Sequence, residues 1–152
     1  PQVNTVLTIV GDGPEKNRLV ELADSLGIAS QLNIIDWIPR AELMMIMKQA
    51  SVFLFPSHEG AGMVVAEALS FGVPVITLDN CGPGQFIAPA YGVVVGTAPY
   101  QGTVDRLAVG LADTCKDKEK YQAMRVAARK AFEEKFAWDR RGETLQAVYS
   151  NL

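Results

Sequence analysis

Apolar runs of strand length alternate with amphipathic, helix-length stretches along almost the whole chain. TVLTIV (5–10) is β-branched and continuous, the pattern of a strand buried on both faces. GDGP follows, and Pro14 suits the first position of a helix whose Leu19, Leu22, Ala23 and Leu26 share a stripe and whose stop is Gly27. LNII (32–35) predicts a short strand, and Pro39 opens a helix with Leu43, Ile46, Met47 and Ala50 on one face. VFLF (52–55) predicts another strand. A helix from near Gly62 to Gly72 comes next, ended by that glycine and by Pro74. VPVITL (73–78) and GVVV (92–95) complete the strands. Three helices close the chain. The first carries Val104, Leu107, Ala108, Leu111, Ala112 and Cys115 on a stripe; the second, over about 118–135, carries Tyr121, Met124 and Ala128; the third, after Phe136 and Trp138, carries Leu145, Val148 and Tyr149.

Strands alternating with helices predict an α/β protein: a Rossmann-like parallel sheet with helices on both faces, as one domain over residues 1–152. Right-handed crossovers leave a ligand crevice at the carboxyl ends of the strands, where the winding reverses. PSHEGAG follows the strand at 52–55 and NCGPG follows the one at 73–78, so both loops are placed to line it.

Composition narrows the classes. A chain of 152 residues buries roughly two-thirds of its unfolded surface, enough for a real core. A hydrophobic content of 49% excludes a disordered tail, and a net charge of −3 offers no basic surface for nucleic acid. Cys81 and Cys115 make neither a disulfide framework nor a metal-ligand spacing, which fits a reducing, cytoplasmic setting. No apolar run approaches the roughly 18 residues of a spanning helix. The chain begins at Pro1 without an initiator methionine and soon enters a strand-like run, so it is expected to be part of a longer protein.

The chemistry gathers around residues 56–75, PSHEGAGMVVAEALSFGVPV. Gly60, Ala61 and Gly62 lead into a helix, where free N–H groups and the helix dipole attract an anion; a plain tight turn is the simpler alternative. Glu67 stands in the nearly all-apolar run Met63–Phe71, flanked by Ala66 and Ala68. A carboxylate there costs several kcal/mol unless something polar meets it. Glu59 lies in the loop, and seven residues separate it from Glu67, so the two can reach either side of a phosphate at the helix start. Carboxylates accept hydrogen bonds from sugar hydroxyls. A sugar–diphosphate–sugar ligand, a nucleotide sugar, satisfies all three positions. The competing readings make Glu59 a solvated loop residue and let Glu67 cap backbone or pair with Arg40 or Lys48. His58, the single histidine, is either catalytic or an incidental loop residue. Asp12 suits a turn or helix cap; Gly82, Pro83 and Gly84 suit a turn; Cys81 suits a loop thiol and Cys115 a core filler.

EGAGMVVAE (59–67) followed by ALSFGVPV resembles the E-x7-E signature of retaining GT-B glycosyltransferases, family 4 or group 1. VGDGP (10–14), WIPRAEL (37–43), FPS (55–57), NCGP (80–83) and FAWDRR (136–141) fall in the family's order, and the resemblance covers essentially the whole chain. It implies the C-terminal, donor-binding domain of a two-domain enzyme that moves a sugar from a nucleoside-diphosphate sugar with retention of configuration. It also implies that Glu59 approaches the transferred sugar and that Glu67 hydrogen-bonds the ribose. Backbone near Gly62, Met63 and Val64 would hold the diphosphate, Gly60 and Ala61 would belong to the donor-binding loop, Ile38 would frame the base, and Gly11 would face the cleft. No metal or other cofactor is expected, and the chain has no Asp-x-Asp. The implied partners are the sugar donor, a saccharide, lipid or small-molecule acceptor, and an N-terminal domain of the same protein. The whole enzyme is expected in the cytoplasm, either free or at the inner face of a membrane, and this part alone is expected to be inactive.

Three departures stand out. The Arg and Lys that clamp donor phosphates in the family, and the mid-sheet first strand, are expected before Pro1. Without that strand, the runs at 5–10 and 52–55 must pair directly, leave a gap or borrow a strand. Gly-Phe-Gly is Gly-Ala-Gly here, and a Glu common after the NCGP-type loop is Gln85. Two rival functions remain beside the enzyme: a non-catalytic nucleotide-sugar binding or scaffolding module, and a sugar-nucleotide epimerase of the same fold.

Overall fold

The computed structural model describes residues 5–58, 60, 62–80 and 82–150. Glu59, Ala61 and Cys81 lie outside the described residues. The described elements form an α/β fold of parallel strands and helices, in two compact units, Pro1–Ile46 and Met47–Leu152.

In the first unit, β1 (Leu7–Val10) pairs in parallel with β2 (Leu32–Ile35), Leu7 opposite Leu32. Between them run α1 (Lys16–Ser25) and a single 3₁₀ turn, Ala29–Gln31. Gly27, in the left-handed region at φ 68°, ends α1, and Ile28 N–H returns to Ala23 O at 2.9 Å. Pro14 sits in the turn before α1 rather than at its first position. The expectation that 5–10 is buried on both faces fails: Val6 is 63% and Leu7 47% exposed. A two-stranded sheet has no central strand, so neither strand of this unit gains the enclosure that the apolar run suggested. The stripe on α1 is likewise covered only in part, with Ala23 buried and Leu22 and Leu26 exposed.

α2 (Arg40–Gln49) follows Pro39, and its Met47 joins the core of the second unit. There β3 (Phe53–Phe55), β4 (Val75–Leu78) and β5 (Gly92–Val95) form a parallel sheet in the order β3-β4-β5. Strand alternation sends the side chains of β4 to opposite faces. Val75 packs with Val65 and Leu69 of α3 (Met63–Ser70) and Ala128 of α6 (Lys118–Lys135). Its neighbour Ile76 faces α5 (Tyr100–Lys116), where a Cβ on Gly110 would lie 3.3 Å from Val93 Cγ1 and 3.9 Å from Ile76 Cγ2. Helices therefore cover both faces of this sheet, and all four residues of β4 are buried.

The expected stripe on α5 is covered only in part: Leu107, Leu111 and Ala112 are half-buried, whereas Val104, Ala108 and Cys115 are exposed. Gly110 and Thr114 are its buried residues, and Cys115 is exposed rather than a core filler. A hydroxyl was not expected inside; Thr114 Oγ1 donates to Gly110 O at 2.8 Å, which removes the cost of burying it. The segment after residue 82, expected as a turn, is a short helix, α4 (Pro83–Phe86). α7 (Trp138–Ser150) has no buried residue, and Trp138 is 85% and Tyr149 72% exposed, whereas Phe136 packs edge-on to Phe86. Among the described residues, β1 and β3 belong to different sheets. No described helix is long and apolar enough to cross a membrane.

Candidate functional site

β3 and β4 run parallel, with Phe55 opposite Thr77, so the loops at 56–62 and 79–82 leave the same carboxyl edge of one sheet. Thr77 Oγ1 ties the strand ends together by donating to Phe55 O at 3.0 Å. On the first loop Gly60 is exposed, and Gly62 caps α3 at φ 58° and ψ 35°. That conformation costs most residues roughly 1–2 kcal/mol, and glycine avoids it. Gly62 is also packed hard: a Cβ there would lie 2.6 Å from Pro83 Cγ, so the start of α4, just after the second loop, rests directly against the first loop.

α3 then starts with Met63, which is 63% exposed, followed by the partly buried Val64. The first N–H groups of any α-helix have no partner inside the helix, and the dipole adds positive potential there. Glu67 lies in the second turn, partly buried, between the buried Ala66 and Ala68. It is engaged within the protein and is less enclosed than the apolar run suggested. The structure thus brings Gly60, Gly62, Met63, Val64 and Glu67 onto one loop and helix start. Glu59 and Ala61 are outside the described residues.

Gly11 and Ile38 belong to the first unit. Gly11 follows β1 at φ 138° and donates its N–H to Ile35 O at 2.9 Å; Ile38 follows β2 and is partly buried. Beside them the Lys16 ammonium binds Asp36. Its pKa is raised by that hydrogen bond first, against desolvation, with further help from the Asp36 and Asp12 charges.

Two contacts were not read from the sequence. Asn80 reaches across from the loop after β4 to donate to Ser57 O at 2.9 Å and to meet His58 Nδ1 at 3.1 Å. Pro83 packs on Gly62. The clue to both was the placement of two loops on adjacent parallel strands, but residue patterns do not say which side chains meet. A groove of about 880 Å³ lies elsewhere, beside Phe71, Gly72 and α6. Its cations are already engaged: Arg125 with Gly72 O, Arg129 with Ser70 O and Glu133, Lys130 with Glu134, and Arg140 with Glu143.

Parallel strands covered by helices, with loops and a helix start at the carboxyl edge of the sheet, define an α/β fold of the doubly wound type. The model of the family "Glycosyl transferases group 1" matches residues 1–131. The chain is 32% identical over 155 aligned residues to the GDP-mannose-dependent alpha-(1-6)-phosphatidylinositol monomannoside mannosyltransferase of Mycolicibacterium smegmatis, covering 97% of this chain and 40% of that protein. The crystal structure of WaaG, a glycosyltransferase involved in lipopolysaccharide biosynthesis, superposes with a TM-score of 0.76 at 25% identity, covering 92% of this chain and 37% of that one. Anabaena Alr3699/HepE, solved in complex with UDP, shares the fold at 19% identity, with a TM-score of 0.79 over 97% of this chain and 41% of that one. The chain belongs to the group 1 glycosyltransferase family, and its fold is that of GT-B enzymes. It spans about two-fifths of the length of the relatives just described.

Proposed function

We propose that this chain is the donor-binding part of a glycosyltransferase that moves a sugar from a nucleoside-diphosphate sugar with retention of configuration. The observation that carries the reading is the start of α3: a left-handed Gly62 opens the helix at the carboxyl edge of the sheet, with Glu67 in the second turn. The mannosyltransferase relative is named for its use of GDP-mannose, and HepE was solved with UDP, which supports a nucleoside diphosphate here. Backbone N–H groups near Met63 and Val64 take the diphosphate, and Glu67 accepts from a ribose hydroxyl. Glu59 contacts the transferred sugar. As the glycosidic bond to the donor breaks, negative charge grows on the leaving diphosphate, and N–H groups fixed at the helix tip stabilise it without reorganising. This scheme needs no metal. It belongs to an enzyme acting on the cytoplasmic side, with the acceptor held by the rest of the protein.

Ligand-observed NMR on the 152-residue chain with UDP, GDP and their sugar conjugates tests the first part. Saturation transfer to ribose and sugar protons is expected, and a chain that binds none of these ligands contradicts the reading. The anomeric coupling constant of the product made by the whole enzyme tests retention.

A further inference from the structure

The chain has a single histidine, and its ring is held from one side. Asn80 Nδ2 donates to Ser57 O at 2.9 Å and lies 3.1 Å from His58 Nδ1. A backbone carbonyl only accepts, so the end of the Asn80 amide that faces Ser57 O must be its NH₂. The same NH₂ faces His58, which makes Nδ1 the acceptor and leaves the proton of the neutral imidazole on Nε2. The other end of the amide, Oδ1, is buried with no partner among the described residues. An unpaired buried acceptor costs free energy and calls for an explanation. Here it accompanies a side chain whose NH₂ serves Ser57 and His58 together. The His58 ring itself is exposed, on the loop that runs into the α3 tip.

We propose that Asn80 is a positioning residue for His58: it holds the ring in the Nε2–H form, so that this N–H donates to a phosphate oxygen of a nucleoside diphosphate at the carboxyl ends of β3 and β4. The ligand rests on the donor reading above; the tautomer rests on geometry alone. A purely structural tie between two loops would also use the Asn80–Ser57 bond, but it would give Nε2 no ligand.

Long-range proton–nitrogen NMR of the ¹⁵N-labelled chain tests this directly, because one histidine gives one ring signature. Wild type should show a single Nε2–H tautomer. Asn80→Ala should show exchange between tautomers. Asn80→Asp, close in shape and acceptor-only, should draw the proton to Nδ1, and it carries the test if the alanine variant does not fold. An averaged pattern in wild type, or an unchanged pattern in both variants, overturns the positioning role. UDP, GDP and inorganic pyrophosphate should each shift the Nε2 resonance. His58→Ala should weaken nucleoside diphosphate binding roughly tenfold, and His58→Gln, which keeps an N–H donor, should restore most of it. If UDP or GDP binds while Nε2 stays still and His58→Ala binds within twofold of wild type, the ligand contact is overturned and the donor reading stands. If neither nucleotide binds, both are overturned.

Discussion

Gly62→Ala probes the joint between the two loops. The new methyl would meet two obstacles. Its backbone, at φ 58° and ψ 35°, lies in the left-handed region, which costs a residue with a Cβ roughly 1–2 kcal/mol. The methyl would also sit 2.6 Å from Pro83 Cγ and 3.3 Å from Pro83 Cβ, against a comfortable carbon–carbon separation of about 3.5–4.0 Å. Pro83 is among the fully buried side chains, so it has no room to swing aside. Forcing a methyl into packed surroundings typically costs about 1–3 kcal/mol. The two contributions sum to about 2–5 kcal/mol, a large share of a typical stability of about 5–15 kcal/mol. Urea unfolding followed by circular dichroism should show the midpoint fall with little change in slope. The melting temperature should drop by roughly 4–20 °C, at about 2–4 °C per kcal/mol for a chain of this size. Gly13→Ala is the control: no atom lies within 4 Å of its Cβ position and it is not among the glycines at positive φ, so its stability should stay within about 0.5 kcal/mol of wild type. If Gly62→Ala melts like wild type, or if both variants fall equally, the packed left-handed turn is not what holds the loops together.

Other outcomes follow from single contacts. Leu69 is fully buried in the core of the second unit, and Leu69→Ala should cost about 2–5 kcal/mol in the same urea assay. Asp117 caps α6 by accepting from Glu119 N–H at 2.9 Å and Lys120 N–H at 3.0 Å, so Asp117→Ala should cost about 1 kcal/mol, with helix loss visible by circular dichroism. Lys16 has its pKa raised by its bond to Asp36. A raised pKa means that its stabilisation is complete below the unfolded value and is lost as pH climbs through the folded one. The stability difference between wild type and Lys16→Met should therefore be flat through neutral pH and shrink above about pH 10. In the whole enzyme, Glu59→Gln should depress turnover more than nucleotide affinity, and EDTA should leave turnover unchanged; equal effects on turnover and affinity, or loss of activity with EDTA, would remove the roles assigned here.

Much of this architecture is written in residue periodicity. β2 and β5 fall on LNII and GVVV as expected, and α6 on residues 118–135, because short apolar runs and a long amphipathic one have few alternatives. The misreadings share one physical origin. Periodicity says that a run is apolar but not what covers it. TVLTIV looks enclosed, yet among the described residues β1 has only β2 beside it, and Leu7 and Thr8 are exposed. α5 carries a proper apolar stripe that is only half covered, and its buried residues are Gly110 and Thr114, where the small glycine lies against the sheet. The site divides in the same way. Glycine spacing and an out-of-place glutamate point to Gly62 at the start of α3 and to Glu67, since both are local signals. The Asn80–His58 and Pro83–Gly62 contacts join residues about 20 apart in the sequence through strand pairing, and no local pattern marks them.

Calorimetric titration of wild type and Glu67→Ala with a nucleotide sugar, its nucleoside diphosphate and inorganic pyrophosphate tests the central claim most directly. Losing a hydrogen bond from ribose to a carboxylate should weaken both nucleotides roughly tenfold or more and leave pyrophosphate nearly unaffected. An equal loss for all three ligands, or no loss for any, would contradict a ribose contact at Glu67 and the donor site built around it.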